Sequence, residues 1–282
     1  MKLLRYGPPG QEKPALVAAD GSLRDLSLHV LDISPRVLDP KALGELRALD
    51  PASLPKVEDG VRIGTPIANI GKLICVGLNY ADHAKESNLP VPSEPVLFMK
   101  ATSAICGPND AVIIPRGSEK TDWEVELGIV IGRKAQYVER EQALEHVAGY
   151  CIVNDVSERA YQLERGGTWD KGKGCDTFAP IGPWLVTPDE IADLRNLDMH
   201  LSVNGETRQN GNTRTMIFSI DEIVSYISQF MTLNPGDVIC TGTPPGVGAG
   251  MKPPQFLKPG DRMQLSISGL GEQRQDVVAW SR

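Results

Sequence analysis

No two cysteines in this chain stand at C-x-x-C spacing. The five present, Cys75, Cys106, Cys151, Cys175 and Cys240, are scattered and odd in number, which argues against a zinc site, a dithiol redox site or a disulfide framework. Cys75, Cys151 and Cys240 sit in apolar runs and read as core. No apolar stretch approaches the length of a membrane span. No Lys/Arg cluster with interleaved aromatics accompanies the formal net charge of -7, so nucleic acid is not an expected partner either. The opening M-K-L-L-R-Y-G-P-P-G places Arg5 and two prolines where a secretory signal needs a continuous apolar core, and a cytoplasmic location is expected. Repeats and low-complexity tracts are also missing. Two glycine-rich segments lack what nucleotide binding requires. The G-x-x-x-x-G-K run from Gly167 to Lys173 is followed by Gly174 rather than Ser or Thr, and T-G-T-P-P-G-V-G-A-G (241–250) has neither G-x-G-x-x-G spacing nor a following helical pattern.

What is present is a packed chain rich in turns. Hydrophobic residues make up 41% of the 282, and 28 glycines and 22 prolines punctuate many short strand-like runs. Residues 1–60 read as a small β-rich N-terminal unit, with a turn at Asp20-Gly21 and a helix near 38–49 capped by Asp39 with Pro40 at its first position. Residues 61–72 are expected to link it to a larger unit over 73–282. There, strand patterns such as L-I-C-V-G-L, W-E-V-E-L-G-I-V-I-G and Y-C-I-V-N-D dominate. Asn204-Gly205 signals a hairpin. Helices are expected at 140–147 and at 219–231, the latter with Ser219 and Glu222 as a capping box. Strands do not alternate regularly with helices, so the expected fold is β-rich α+β with a rolled or barrel-like sheet.

Glu124 and Glu126 lie two apart in the strongest strand-like run, so they share one face while Trp123, Val125, Leu127, Ile129 and Ile131 take the other. Asp155 ends the next strand. Three acids on strands with no obvious basic partner beside them suit a hard divalent cation, although an E-x-E pair alone is commonly a solvated strand face. His83 and Glu86 are three apart in a short helical pattern, where a carboxylate can orient an imidazole as general base; an incidental surface pair is the alternative. His29, His146 and His200 lack such a partner. Lys173 sits in a flexible loop, either as a cation for a carboxylate or developing oxyanion or as a solvated lysine. The 241–250 turn could present backbone N–H groups to an anion or be an ordinary tight turn.

From about Leu73 to Ile267 the chain resembles the fumarylacetoacetate hydrolase family. The resemblance rests on G-L-N-Y-x-x-H-x-x-E (77–86), D-W-E-V-E-L-G-I-V-I-G (122–132), G-Y-C-I-V-N-D-V-S-E-R (149–159), W-D-K-G-K-G-C-D-T-F-A-P-I-G-P (169–183), V-N-G-E-x-R-Q (203–209) and L-N-P-G-D-V-I-C-T-G-T-P-P-G-V-G (233–248), which agree in order and spacing. The resemblance implies a mixed β-sandwich roll behind a small N-terminal domain, and a homodimer. It implies Mg²⁺ or Mn²⁺ held by Glu124, Glu126 and Asp155, a His83–Glu86 dyad as base, and Lys173 as catalytic cation. Arg159, Gln162 and Thr243 become candidate contacts for a small dioxo acid. The implied reaction is hydrolysis of a C–C bond in a 2,4-dioxo acid, giving pyruvate. Within the family, the whole chain, including its opening segment, is similar to bacterial hydrolases of 2,4-dioxo-3-deoxy derivatives of L-fuconate or L-rhamnonate, which yield pyruvate and lactate. Similar sequences often carry the label ureidoglycolate lyase. A lyase or decarboxylase using the same metal site, and a non-catalytic binding module of the same fold, are the alternatives.

Overall fold

The computed structural model describes residues 1–86 and 90–281, without the side chain of His83. Among these residues, strands far outnumber helices, and they form two main sheets. The larger runs from edge to edge through Leu23–Asp25, Lys13–Val17, Lys2–Tyr6, Ala179–Val186, Val147–Asn154, Val125–Ile131, Val238–Cys240, Leu73–Gly77 and Val96–Lys100. It is mixed: Val238–Cys240 pairs parallel with Leu73–Gly77, and its other neighbour, Val125–Ile131, is antiparallel to it. The smaller sheet orders Glu206–Asn212, Asp198–Val203, Arg262–Ile267, Gly271–Ala279 and Val112–Ile114. This is the β-rich α+β roll that the strand pattern predicts.

The N-terminal strands join the larger sheet directly, because Lys2–Tyr6 pairs antiparallel with Ala179–Val186. Ile63–Gly64 pairs with the same N-terminal strand. Arg62, just before it, donates to Glu12 at 3.0 Å and to Asp110 at 2.6 Å, tying residues 61–64 to both sides of the fold.

Local chemistry explains the turns. Asn204 and Gly205, at φ 53° and 80°, close the hairpin between Asp198–Val203 and Glu206–Asn212, a left-handed pair that Asn-Gly adopts readily. Asp39 caps Pro40–Arg47 by accepting from the backbone N–H groups of Lys41 and Ala42. The helix Ile220–Ser228 forms, burying Ile220, Ile223, Val224 and Ile227, but the expected capping box does not. Ser219 Oγ accepts from Arg140 at 2.8 Å instead, and Arg140 also grips Asp221. The segment expected as a helix at 140–147 is a 3-10 helix, Arg140–His146.

Val125–Ile131 is buried along its whole length. Asn154, cross-strand partner of Val125, donates to Gln275 of the smaller sheet at 3.1 Å. The Trp123/Val125/Leu127 face therefore packs against the second sheet, and the Glu124/Glu126 face turns the opposite way.

Candidate metal centre

In the antiparallel pair of Val125–Ile131 with Val147–Asn154, Val125 faces Asn154 and Glu126 faces Val153. The same register carries one step further: the Asp155 N–H donates to the Glu124 carbonyl at 2.9 Å. Glu124, Glu126 and Asp155 thus share one face, and their carboxylate oxygens lie within 4.8 Å of one another. All three are buried.

The expectation that no basic group stands beside these acids is corrected by the structure. Three cations converge on them from distant parts of the chain. Lys173 Nζ donates to Glu124 Oε2 and to Asp155 Oδ2, both at 2.8 Å. Lys100 Nζ donates to Asp155 Oδ1 at 2.5 Å and to the Val156 carbonyl at 2.9 Å. Arg159 donates through Nη2 to Glu124 Oε1 at 2.6 Å, through Nε to Asp122 Oδ2 at 2.8 Å, and through Nη1 to Gln162 Oε1 at 3.0 Å. Burial works against the Lys173 ammonium, but Asp155 and Glu124 outweigh it and hold its pKa above the ordinary lysine value. Arg159 is likewise held in its charged form, against burial, by Asp122 and Glu124.

Glu126 has a different environment. Its Oε2 accepts from the Gly242 N–H at 2.8 Å. Burial, then the neighbouring Asp155 and Glu124 charges, push its pKa well above the ordinary glutamate value. Three hard oxygen donors that repel one another in a dry setting fit a divalent cation, which would relieve that repulsion. The carboxylates of Glu124, Glu126 and Asp155 would be its ligands.

The floor of the site is fixed by residues that do not themselves carry charge. Gly242, at φ +92°, brings its N–H to Glu126 where any Cβ would lie 2.9 Å from Asn79 Cβ. Asn79, fully buried, donates to the carbonyls of Phe218 and Thr241 and accepts from the Phe218 N–H. It thereby pins the turn that leads into the helix Ala81–Glu86. Thr243 Oγ1 donates to the Val125 carbonyl at 2.9 Å and accepts from Gln209 Nε2 at 2.7 Å. Asp122 accepts from the N–H groups of Gly248 and Ala249 at 2.7 and 3.0 Å, holding the rim of the cavity.

The Glu86 carboxylate reaches that rim and accepts from the Gly246 N–H at 3.1 Å. The other half of the expected dyad, the side chain of His83, lies outside the described residues. Glu86, Glu124, Glu126, Arg159, Gln162, Lys173 and Thr243 all line one cavity of about 640 Å³. Its outer walls are mostly apolar, with Phe98, Leu163, Trp169, Val247, Met251 and Pro254. Trp169 packs edge-on against Phe98 at 5.2 Å, and Lys173 Nζ lies 4.9 Å from the Phe98 ring centre.

Sequence reasoning missed Lys100, Asp122, Asn79 and Gln209 as parts of this site. Lys100 ends an apolar strand-like run, and period-two alternation would have put it on the same face as Phe98. Asp122 and Asn79 stand inside motifs already singled out, beside residues with more obvious chemistry. Gln209 also ends one of those motifs, but its contacts with Val125, Thr243 and Pro244 come from distant parts of the chain.

Comparison with known proteins agrees with this arrangement. The family description "Fumarylacetoacetate (FAA) hydrolase C-terminal" matches residues 72–278. A curated relative from Burkholderia multivorans, whose name offers hydrolase as a provisional class, is 62% identical over 276 residues, 98% of either chain. The crystal structure of fumarylacetoacetate hydrolase from Exiguobacterium antarcticum superposes with a TM-score of 0.88 at 39% identity, covering 99% of this chain and 100% of that one. Maleylpyruvate hydrolase from Sphingobium sp. SYK-6, in complex with manganese(II) ion and pyruvate, gives 0.83 at 30% identity with both chains fully covered. The fold is that of these solved structures. The chain belongs to the fumarylacetoacetate hydrolase family.

Proposed function

We propose that the protein is a Mg²⁺- or Mn²⁺-dependent hydrolase that cleaves a C–C bond in a 2,4-dioxo acid and releases pyruvate. The observation that carries this reading is the grouping of Glu124, Glu126 and Asp155 around Lys173, with Glu124, Glu126 and Lys173 lining a single cavity of about 640 Å³. A bound divalent cation there supplies positive charge against the electron density left when the C–C bond breaks. The protein's own groups do the rest. Glu124 and Glu126 line the hard end of the cavity, with Asp155 buried behind them. Lys173 spends two of its three N–H donors on Glu124 and Asp155 and keeps one for negative charge developing on the substrate. His83, with Glu86 beside it in sequence, takes the proton of the attacking water. Gln162 turns its amide oxygen to Arg159 and offers its NH₂ to the substrate tail, and Thr243 lines the carboxylate end. Arg159 acts through Gln162 and Glu124, its nitrogens already holding acceptors. The protein works as a homodimer on this reading.

Within this class, 2,4-dioxo-3-deoxy-L-rhamnonate and L-fuconate are the leading candidates, on the resemblance of the whole chain. The apolar outer walls make an alkyl-tailed acylpyruvate the instructive competitor. The test is a panel of 2,4-dioxo acids assayed for pyruvate with Mg²⁺, with Mn²⁺ and with chelator. Release of pyruvate only in the presence of cation supports the reading. Release of CO₂ from an oxo acid, or of urea from ureidoglycolate, without hydrolysis of any dioxo acid would replace it with a lyase.

A further inference from the structure

Lys100 is a fully buried ammonium that the cavity does not reach; Lys173, not Lys100, lines the pocket. The two lysines divide one carboxylate between them. Lys100 holds Asp155 Oδ1 at 2.5 Å and is itself anchored on the Val156 carbonyl at 2.9 Å, while Lys173 holds Asp155 Oδ2 at 2.8 Å from the pocket side. The anchor matters because it fixes where the Lys100 charge sits. Its backbone is fixed too, by pairing of Lys100 with Leu73 across the sheet. Asp155 has no freedom to swing its Oδ1 away from Lys100 without leaving a buried cation unpaired.

We infer that Lys100 is a positioning residue for cation choice: by occupying Asp155 Oδ1 it leaves a single Asp155 oxygen to a metal, and so favours small cations that take one oxygen per carboxylate over Ca²⁺. This inference rests on the metal reading above. Ca²⁺ takes six to eight oxygens and accepts carboxylates through both of theirs, whereas Mg²⁺ demands compact octahedral ligation and keeps its own waters. A carboxylate with one oxygen committed elsewhere is a full ligand for Mg²⁺ and half a ligand for Ca²⁺. Lys173 would then yield Asp155 Oδ2 and Glu124 Oε2 to the cation, the two oxygens that Lys100 and Arg159 do not hold.

The experiment is calorimetric titration of chelator-treated full-length protein with MgCl₂, MnCl₂ and CaCl₂, for the native chain, Lys100→Met and Lys100→Arg. In Lys100→Met the Mg²⁺:Ca²⁺ affinity ratio should fall about tenfold, chiefly because Ca²⁺ gains. Lys100→Arg, which can still hold Oδ1, should recover most of the native ratio. Lys100→Leu, which also leaves Oδ1 without a donor, is read in the same way if the methionine variant does not fold. A ratio unchanged in the methionine or leucine variant, or a uniform loss for all three cations, overturns the inference and leaves the metal reading standing. A native chain that binds none of the three cations overturns both.

Discussion

Asp122 is the residue on which site and scaffold lean together, and its removal gives the most quantitative check. Its side chain is fully buried and accepts from the Trp123, Gly248 and Ala249 N–H groups at 2.8, 2.7 and 3.0 Å and from Arg159 Nε at 2.8 Å. Asp122→Ala leaves the Trp123, Gly248 and Ala249 N–H groups without their acceptor and strips Arg159 of one of its two carboxylates. Breaking a buried ion pair from one side costs about 3–5 kcal/mol, and each orphaned buried donor about 1–3 kcal/mol, with some relief from water at the rim. Arg159 keeps Glu124 and water reaches the rim, so these costs do not add in full, and we expect a loss of at least about 5 kcal/mol in stability, read from urea midpoints and slopes. Asp122→Asn keeps an oxygen for Gly248 and Trp123 but not the charge, and should lose about 2 kcal/mol. The control is Asp276→Ala, whose partner Arg262 is exposed like Asp276 itself; it should change stability by less than about 0.5 kcal/mol. If Asp122→Ala and Asp276→Ala destabilise alike, the account of a buried brace behind the site is wrong.

Chelation should abolish turnover and added Mg²⁺ or Mn²⁺ restore it, while Glu126→Gln should remove cation binding in calorimetry and leave the circular dichroism spectrum unchanged; full turnover without metal sinks this scheme. His83→Ala should lower kcat by about 10²–10⁴, the usual contribution of a general base, with cation affinity within a factor of about three; loss of the cation instead would make His83 a ligand. Glu86→Gln should hurt less than His83→Ala, and the double variant should be no worse than His83→Ala alone, because a base and its orienting group act as one unit. Gly77→Ala places a Cβ 2.9 Å from the far edge of the Trp169 ring and should push that ring into the cavity. KM for long-tailed dioxo acids should then rise more than for short-tailed ones, and equal effects on both would remove Trp169 from the tail end of the pocket.

The parts of this site that the sequence discloses are those whose geometry is local. Glu124 and Glu126 share a face because strand alternation is a property of the chain itself, and Asp155, at the end of the next strand-like run, joins them because that strand pairs antiparallel, across residues 132–146, in a register that sets Asp155 against Glu124. The turn at Asn204-Gly205 and the Asp39 cap are equally local. The capping box at Ser219 was legible by the same rule and yet did not form, since Arg140, about eighty residues away, competes for the same hydroxyl. The counter-charges follow neither rule. Lys100 comes from the edge strand, Lys173 from the short helix Asp170–Lys173 and Arg159 from the short helix Arg159–Leu163, and only the folded sheet brings them to Glu124 and Asp155. Their presence changes what the acids can do. Among the described residues, Asp122, Glu124, Glu126 and Asp155 are four buried carboxylates against the buried cations Lys100, Lys173 and Arg159, and the one with no cationic hydrogen-bond partner among those residues, Glu126, is the one whose pKa is pushed well upward. Among the described residues, positive charge is thus short at one position, on the pocket side beside Glu126. A divalent cation placed there meets the deficit, and it does so at the face of the cavity where a dioxo acid would have to bind.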